Sequence, residues 1–166
     1  AGRVLKENRR FARAVAVELL AGSLLLTLPF YVVYVREELG ADASVAGTFI
    51  GVQTAAGILS NLFWGRFNDT YGSRQVIRLA TAANVLIPLV ALTARGTAWF
   101  YVVFALIGFY MVGSTIGYSN YMLDLAPDKE RPRFVSLRGS LTAPVALYPL
   151  LGGALMDVLS FQAVLL

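Results

Sequence analysis

Charged residues in this chain fall in clusters, and the apolar intervals between the clusters constrain its fold more than any other feature. A helix rises about 1.5 Å per residue, so about 20 apolar residues cross a hydrocarbon layer roughly 30 Å thick. Five intervals approach or exceed that length: Ala14 to Val35, Ala43 to Gly65, Leu79 to Ala94, Gly96 to Leu123 and Gly139 to Met156. After Asp157, Ser160, Phe161 and Gln162 a further apolar run opens at Ala163 and reaches Leu166, which reads as the start of a sixth span. With 57% of residues hydrophobic and only 14% charged, lipid is the expected solvent. The expected fold is therefore all-α: a polytopic integral membrane bundle of five spans plus the start of a sixth, preceded by a basic leader or linker over residues 1–13. No span carries a polar face at helical spacing that would mark a soluble amphipathic helix, so length and charge placement carry the assignment. The first apolar stretch is too long for a secretory signal and runs directly into further spans.

Orientation follows from Lys and Arg. Arg3, Lys6, Arg9, Arg10 and Arg13 lie in the leader, Arg66, Arg74 and Arg78 between spans two and three, and Lys129, Arg131, Arg133 and Arg138 between spans four and five. The opposite side carries only Arg36 and Arg95, with Glu37, Glu38, Asp42 and Asp157. The positive-inside rule then places the N-terminus and basic loops in the cytoplasm, with the plasma (inner) membrane as the expected location. This topology accounts for the net charge of +4 better than nucleic-acid binding does, because no continuous basic face exists. Phe30, Tyr31 and Tyr34, and Trp99, Phe100 and Tyr101, stand near the outer ends of spans one and four and are expected as interface anchors, with stacking on a substrate as the alternative.

The chain has neither Cys nor His, which removes disulfides, thiolate chemistry, haem ligation and the usual zinc ligands. No metal, no cofactor and no catalytic residue is expected, and an enzyme is the least favoured class.

The segment Gly65-Arg66-Phe67-Asn68-Asp69-Thr70-Tyr71-Gly72-Ser73-Arg74-Gln75 reads as a very short link between spans two and three. Gly65 lets another backbone approach, Asp69 can accept hydrogen bonds at a helix start, and Gly72 can take a left-handed turn. Arg74 and Arg78 can pair with Asp69 or with lipid phosphates. The segment resembles the signature G-x-x-x-D-[R/K]-x-G-x-[R/K]-[R/K] of the major facilitator superfamily, matching it at Gly65, Asp69, Gly72 and Arg74 and departing at Thr70 and Gln75. Two weaker resemblances to that family follow. Asp124-Leu125-Ala126-Pro127-Asp128-Lys129-Glu130-Arg131 is similar to the stretch before a fifth helix, and Pro149-Leu150-Leu151-Gly152-Gly153 to the end of an antiporter element whose first Gly is here Tyr148. With Pro144 one turn earlier, span five should bend and pack closely on a neighbour.

The resemblance implies one six-helix half of a twelve-helix transporter, with residues 14–166 as a transmembrane half-bundle that is similar to a C-terminal half. It implies secondary active transport of a small solute by alternating access, with Gly65, Asp69, Gly72 and Arg74 as a conformational latch. The partners implied are the bilayer, the other half of the polypeptide, and a small-molecule substrate with or without a proton. The alternative is a non-transporting membrane sensor or assembly module that keeps the fold.

Inside the spans, Glu18 is the only ionisable residue well within an apolar run, at a cost of about 2.5 to 3.5 kcal/mol for a charge at a span centre. It is either a carboxylate paired near the membrane edge or a protonatable, cation-pairing group of a pathway. Gln53, Asn84 and Asn120 are the other pathway candidates, each equally readable as an interhelical hydrogen-bonding residue. Ala43, Gly47, Gly51 and Ala55 recur every four residues as a stripe for close helix approach, as do Gly113 and Gly117, and Pro149, Gly152 and Gly153 are the packing residues expected in span five.

Overall fold

A computed structural model describes residues 8–156 and makes them a bundle of helices, with no strand among the described residues. Seven α-helices follow one another: α1 Arg9–Ala21, α2 Leu24–Glu37, α3 Val45–Tyr71, α4 Ser73–Thr93, α5 Thr97–Leu125, α6 Arg131–Thr142 and α7 Tyr148–Met156. Short 3₁₀ turns at Asp128–Glu130 and Ala143–Leu147 flank α6. They make five membrane-length spans, because α1 and α2 run on as Arg9–Glu37 and the pieces after Pro127 run on as Asp128–Leu155. The chain is thus a polytopic integral membrane protein. Asp157 and the expected start of a sixth span lie outside the described residues, as do Arg3 and Lys6.

Helices outlast the apolar runs from which they were read. The second span continues past Gly65 through Arg66, Asn68 and Asp69 to Tyr71, so the expected loop is two further turns of α3. Only Gly72 separates α3 from α4, at φ 79° and ψ 164°, a conformation that a side chain would strain. The leader is likewise partly helical: Asn8 Oδ1 accepts the Phe11 N–H at 3.0 Å and caps α1.

Helix α5 is the centre of the bundle and packs along both α3 and α4. Its crossing with α3 is set by Gly108, where a Cβ would run into the Gln53 carbonyl, and by Gly57, where a Cβ would stand 3.5 Å from the Gly108 carbonyl oxygen. Two turns beyond Gly57, Trp64 is fully buried, lies against Gly113 and donates its indole N–H to the Phe109 carbonyl at 2.8 Å. Gly117 admits Val76 and Ile77 of α4. The close-approach stripe of the second span is therefore Gly57, Ser60 and Trp64. Gly47, Gly51 and Ala55 lie on its exposed face and Ala43 in the exposed turn before it, and nothing stands within 4 Å of a Cβ at Gly47 or Gly51.

The aromatic residues at the Arg36 and Arg95 end are also placed differently from expectation. Tyr31 and Phe100 are fully buried and pack with Tyr34, Phe49 and Phe104, Phe49 stacking on Phe104 at 4.7 Å. Helices α2, α3 and α5 converge there, so rings on their inner faces form core; Trp99 and Tyr101 remain exposed. At the opposite end Phe11, Val15, Met122 and Phe134 form a second cluster between α1, α5 and α6, with Phe11 and Phe134 edge to face at 5.1 Å.

Candidate functional site

The first span is interrupted at Gly22 and Ser23, and the hydrogen bonds show how. Ser23 N–H reaches back to Leu20 O at 3.0 Å and Leu25 N–H to Gly22 O at 2.9 Å, a tightening to three-residue spacing. The carbonyls of Leu19 and Ala21, which an unbroken helix would pair with Ser23 and Leu25, are released. Other spans take them up: Asn84 Nδ2 and the Tyr110 hydroxyl both donate to Ala21 O at 3.0 Å, and the Tyr148 hydroxyl donates to Leu19 O at 3.2 Å. A carbonyl left bare in an apolar interior costs several kcal/mol, so these side chains fix the break in place. Val145 of the last span fills the space above Gly22, where a Cβ would come within 2.7 Å of it.

One turn before the break, Glu18 meets Arg138 of α6. Arg138 donates from Nη2 to Oε1 at 2.6 Å and from Nε to Oε2 at 2.8 Å, a two-pronged pair with 20% and 16% of the respective side chains exposed. The guanidinium also lies 5.7 Å from the Tyr118 ring centroid, with Nη1 at 3.4 Å from Ser119 Oγ. Glu18 is therefore not the sole ionisable group within the spans: Arg138, expected with the basic loop, stands in the third turn of α6 and joins the first and fifth spans. Beside the pair a cavity of about 250 Å³ is lined by Glu18, Tyr110, Met111, Ser114, Thr115 and Thr142.

The other pathway candidates are not gathered around it. Asn84 is committed to Ala21 O. Gln53 reaches the cavity wall only through its contact with Met111 Sδ at 3.2 Å. Asn120 lines a separate crevice with Asn68, Asp69, Gly72, Ser73 and Asp124. In that crevice the acid engaged with the start of α4 is Asp124, which accepts the Ser73 hydroxyl at 2.6 Å. Asp69 is exposed, and among the described residues no ion pair joins it to Arg74, which instead lies over Tyr121 at 5.6 Å. Gly65 has open space where a Cβ would be. The residues grouped as a latch thus share the helix junction, with no ion pair among them in the described residues.

In the last span, Pro144 stands in the 3₁₀ turn and Pro149 in the first turn of α7, so the helix changes pitch between them. Gly152 then lets α7 close on α2: a Cβ there would strike the Leu26 carbonyl and approach the Phe30 ring, while Gly153 has ordinary contact with Phe30 at 3.8 Å.

Sequence reasoning passed over Arg138, Asp124, Tyr110, Tyr118 and Tyr148. Arg138 directly precedes the apolar run opening at Gly139, and that adjacency was the signal available for it.

Apolar spans, a first span broken within the bundle and a charge pair across the first and fifth spans define an integral membrane helical protein with polar groups in its interior. The family model described as Major Facilitator Superfamily matches residues 14–166, and the chain belongs to that superfamily. A protein of Bacillus subtilis (strain 168) named as an uncharacterised MFS-type transporter, YqjV, is 26% identical over 129 residues, covering 76% of this chain and 31% of the relative. The chain therefore spans about a third of that relative's length. No solved structure matches it.

Proposed function

We propose that the chain is one half of a secondary active transporter, probed by a small solute from alternating sides of the plasma membrane, with its basic end in the cytoplasm. The observation that carries the reading is the Glu18–Arg138 pair beside the cavity at the break of the first span. A partly desolvated pair contributes little net stability, yet losing one partner costs several kcal/mol. Such a pair is a clamp that responds to chemistry: a proton on Glu18, or a charged substrate group competing for either member, releases α1 from α6. The break at Gly22 and Ser23 gives α1 a place to pivot, and the close contact at Gly152 keeps α2 and α7 together at the far end. The single-residue junction at Gly72 makes α3 and α4 move as a unit, and the exposed Asp69 is then free to engage the other half as the latch.

The test is flux in proteoliposomes containing the full-length protein, across a panel of solutes and ion gradients. Gradient-driven transport that Glu18→Gln abolishes, and that Asp69→Asn slows in turnover more than in substrate binding, is the expected result. Tight binding of a protein partner without flux under any gradient would replace this reading with a sensor or assembly module.

A further inference from the structure

At the basic end, α1 and α4 both pack toward α5 and leave an open cleft of about 550 Å³ between them. Four guanidiniums line it, Arg10 and Arg13 from α1 and Arg74 and Arg78 from α4, all on exposed residues. Among the described residues none of the four is paired with a carboxylate; Arg78 donates to Gln75 Oε1 at 3.2 Å and Arg74 lies over Tyr121. Each guanidinium has five N–H donors and no acceptor, so most donors facing this cleft are unused. A second observation points the same way. Tyr118 lines the cleft, is only 2% exposed, and its buried hydroxyl has no hydrogen-bond partner among the described residues. An unmade hydrogen bond of that kind costs about 1–3 kcal/mol, and an acceptor that reached the hydroxyl from the cleft would remove the cost.

We infer that this cleft binds the phosphate of an anionic phospholipid. Donors without acceptors select an anion, and forked guanidiniums match phosphate oxygens in pairs. The walls select a lipid over a free ion: one turn beyond Arg13 on α1 stands Val17, 41% exposed, and Ile77 lies between the two arginines of α4. A molecule with an anionic head and an apolar tail meets arginine at the mouth and hydrocarbon along the helices, as basic pockets between spans do elsewhere. Tyr118 also carries Arg138 against its ring, so the bound headgroup would sit one side chain from the Glu18–Arg138 pair.

The experiment uses the full-length protein, delipidated in neutral detergent, with retained lipid counted by native mass spectrometry. Dioleoyl phosphatidylglycerol, dioleoyl phosphatidylcholine and inorganic phosphate are titrated separately. Saturable retention of phosphatidylglycerol over phosphatidylcholine is expected, weakened about fivefold per arginine removed in Arg10→Gln/Arg13→Gln and in Arg78→Gln. Tyr118→Phe keeps the ring under Arg138 and should weaken it about threefold or more by loss of the hydroxyl alone. Equal retention of the two lipids, or a preference unchanged in all three variants with melting temperatures intact, overturns the site. Saturable phosphate binding that displaces phosphatidylglycerol and is lost in the same variants keeps the anion chemistry and overturns the lipid.

Discussion

Glu18→Gln, Arg138→Gln and the double variant form a cycle that isolates the energy of the pair. Either single change leaves the opposite charge inside the bundle with a neutral amide in place of its partner. Breaking a buried pair in this way costs about 3–5 kcal/mol. Residual exposure of 20% and 16% lets water reach the stranded group, which lowers the expectation to roughly 2–3 kcal/mol for each single variant. In the double variant two amides face each other and can hydrogen-bond, and no charge remains to be hydrated. Its cost should be about 1–2 kcal/mol, so the coupling is about 3–4 kcal/mol, roughly 150- to 700-fold in the unfolding equilibrium. Unfolding of the full-length protein in mixed micelles, followed by helical circular dichroism against increasing denaturing detergent, reads the four stabilities. A double variant whose loss equals the sum of the singles within about 0.5 kcal/mol would refute the reasoning, since residues in contact should not behave additively.

Four further outcomes follow from the packing and the hydrogen bonds. Gly108→Ala should destabilise the bundle by about 1–3 kcal/mol in the same unfolding assay, because the added methyl meets the Gln53 backbone and no flexible side chain can yield there. Gly72→Ala should cost about 1–2 kcal/mol through its positive φ, and Ser73→Ala about 1 kcal/mol by leaving Asp124 without its hydroxyl donor, both measured by melting temperature. Between α2 and α3, Asp42 accepts the Ser44 N–H at 2.8 Å, and this bond holds its carboxyl below the ordinary carboxylate range. With the folded value depressed, the contribution is present above the ordinary carboxylate pKa of about 4 and is lost as pH falls through the lower folded value. Hydrogen exchange at Ser44 should accelerate beyond its intrinsic pH dependence as the pH drops through that window, and Asp42→Asn should abolish the transition.

Charge spacing revealed the spans because a lipid interior tolerates few charges, and five apolar intervals correspond to five helical spans. It could not reveal where helices end, since hydropathy reports the edge of hydrocarbon and the α3 backbone continues through Arg66, Asn68 and Asp69 into the polar layer. Glu18 was legible as the one carboxylate in an apolar run. Its partner was not, because Arg138 is 120 residues away in sequence and adjoins a basic loop that explains it equally well. The tyrosines were ambiguous for a related reason. A ring with a hydroxyl suits both a membrane interface and a buried carbonyl, and only the break at Gly22 and Ser23 shows that Tyr110 and Tyr148 serve the latter. The small-residue stripe was read on another face of span two: Gly47 and Gly51 have the right period, but the face that meets Gly108 of α5 carries Gly57, Ser60 and Trp64.

The claim on which the account turns is that the cavity beside Glu18 and Arg138 opens to alternating sides. The described chain contains no cysteine, so a single Ser114→Cys in an otherwise cysteine-free full-length protein reports that cavity alone. Labelling with a membrane-impermeant maleimide, applied separately to right-side-out and inside-out vesicles, measures access from each face. Reactivity from both faces, with the balance shifted by an imposed solute or ion gradient and locked to one face by Glu18→Gln, is predicted. Labelling from one face alone, unchanged by every gradient and by the variant, would contradict it.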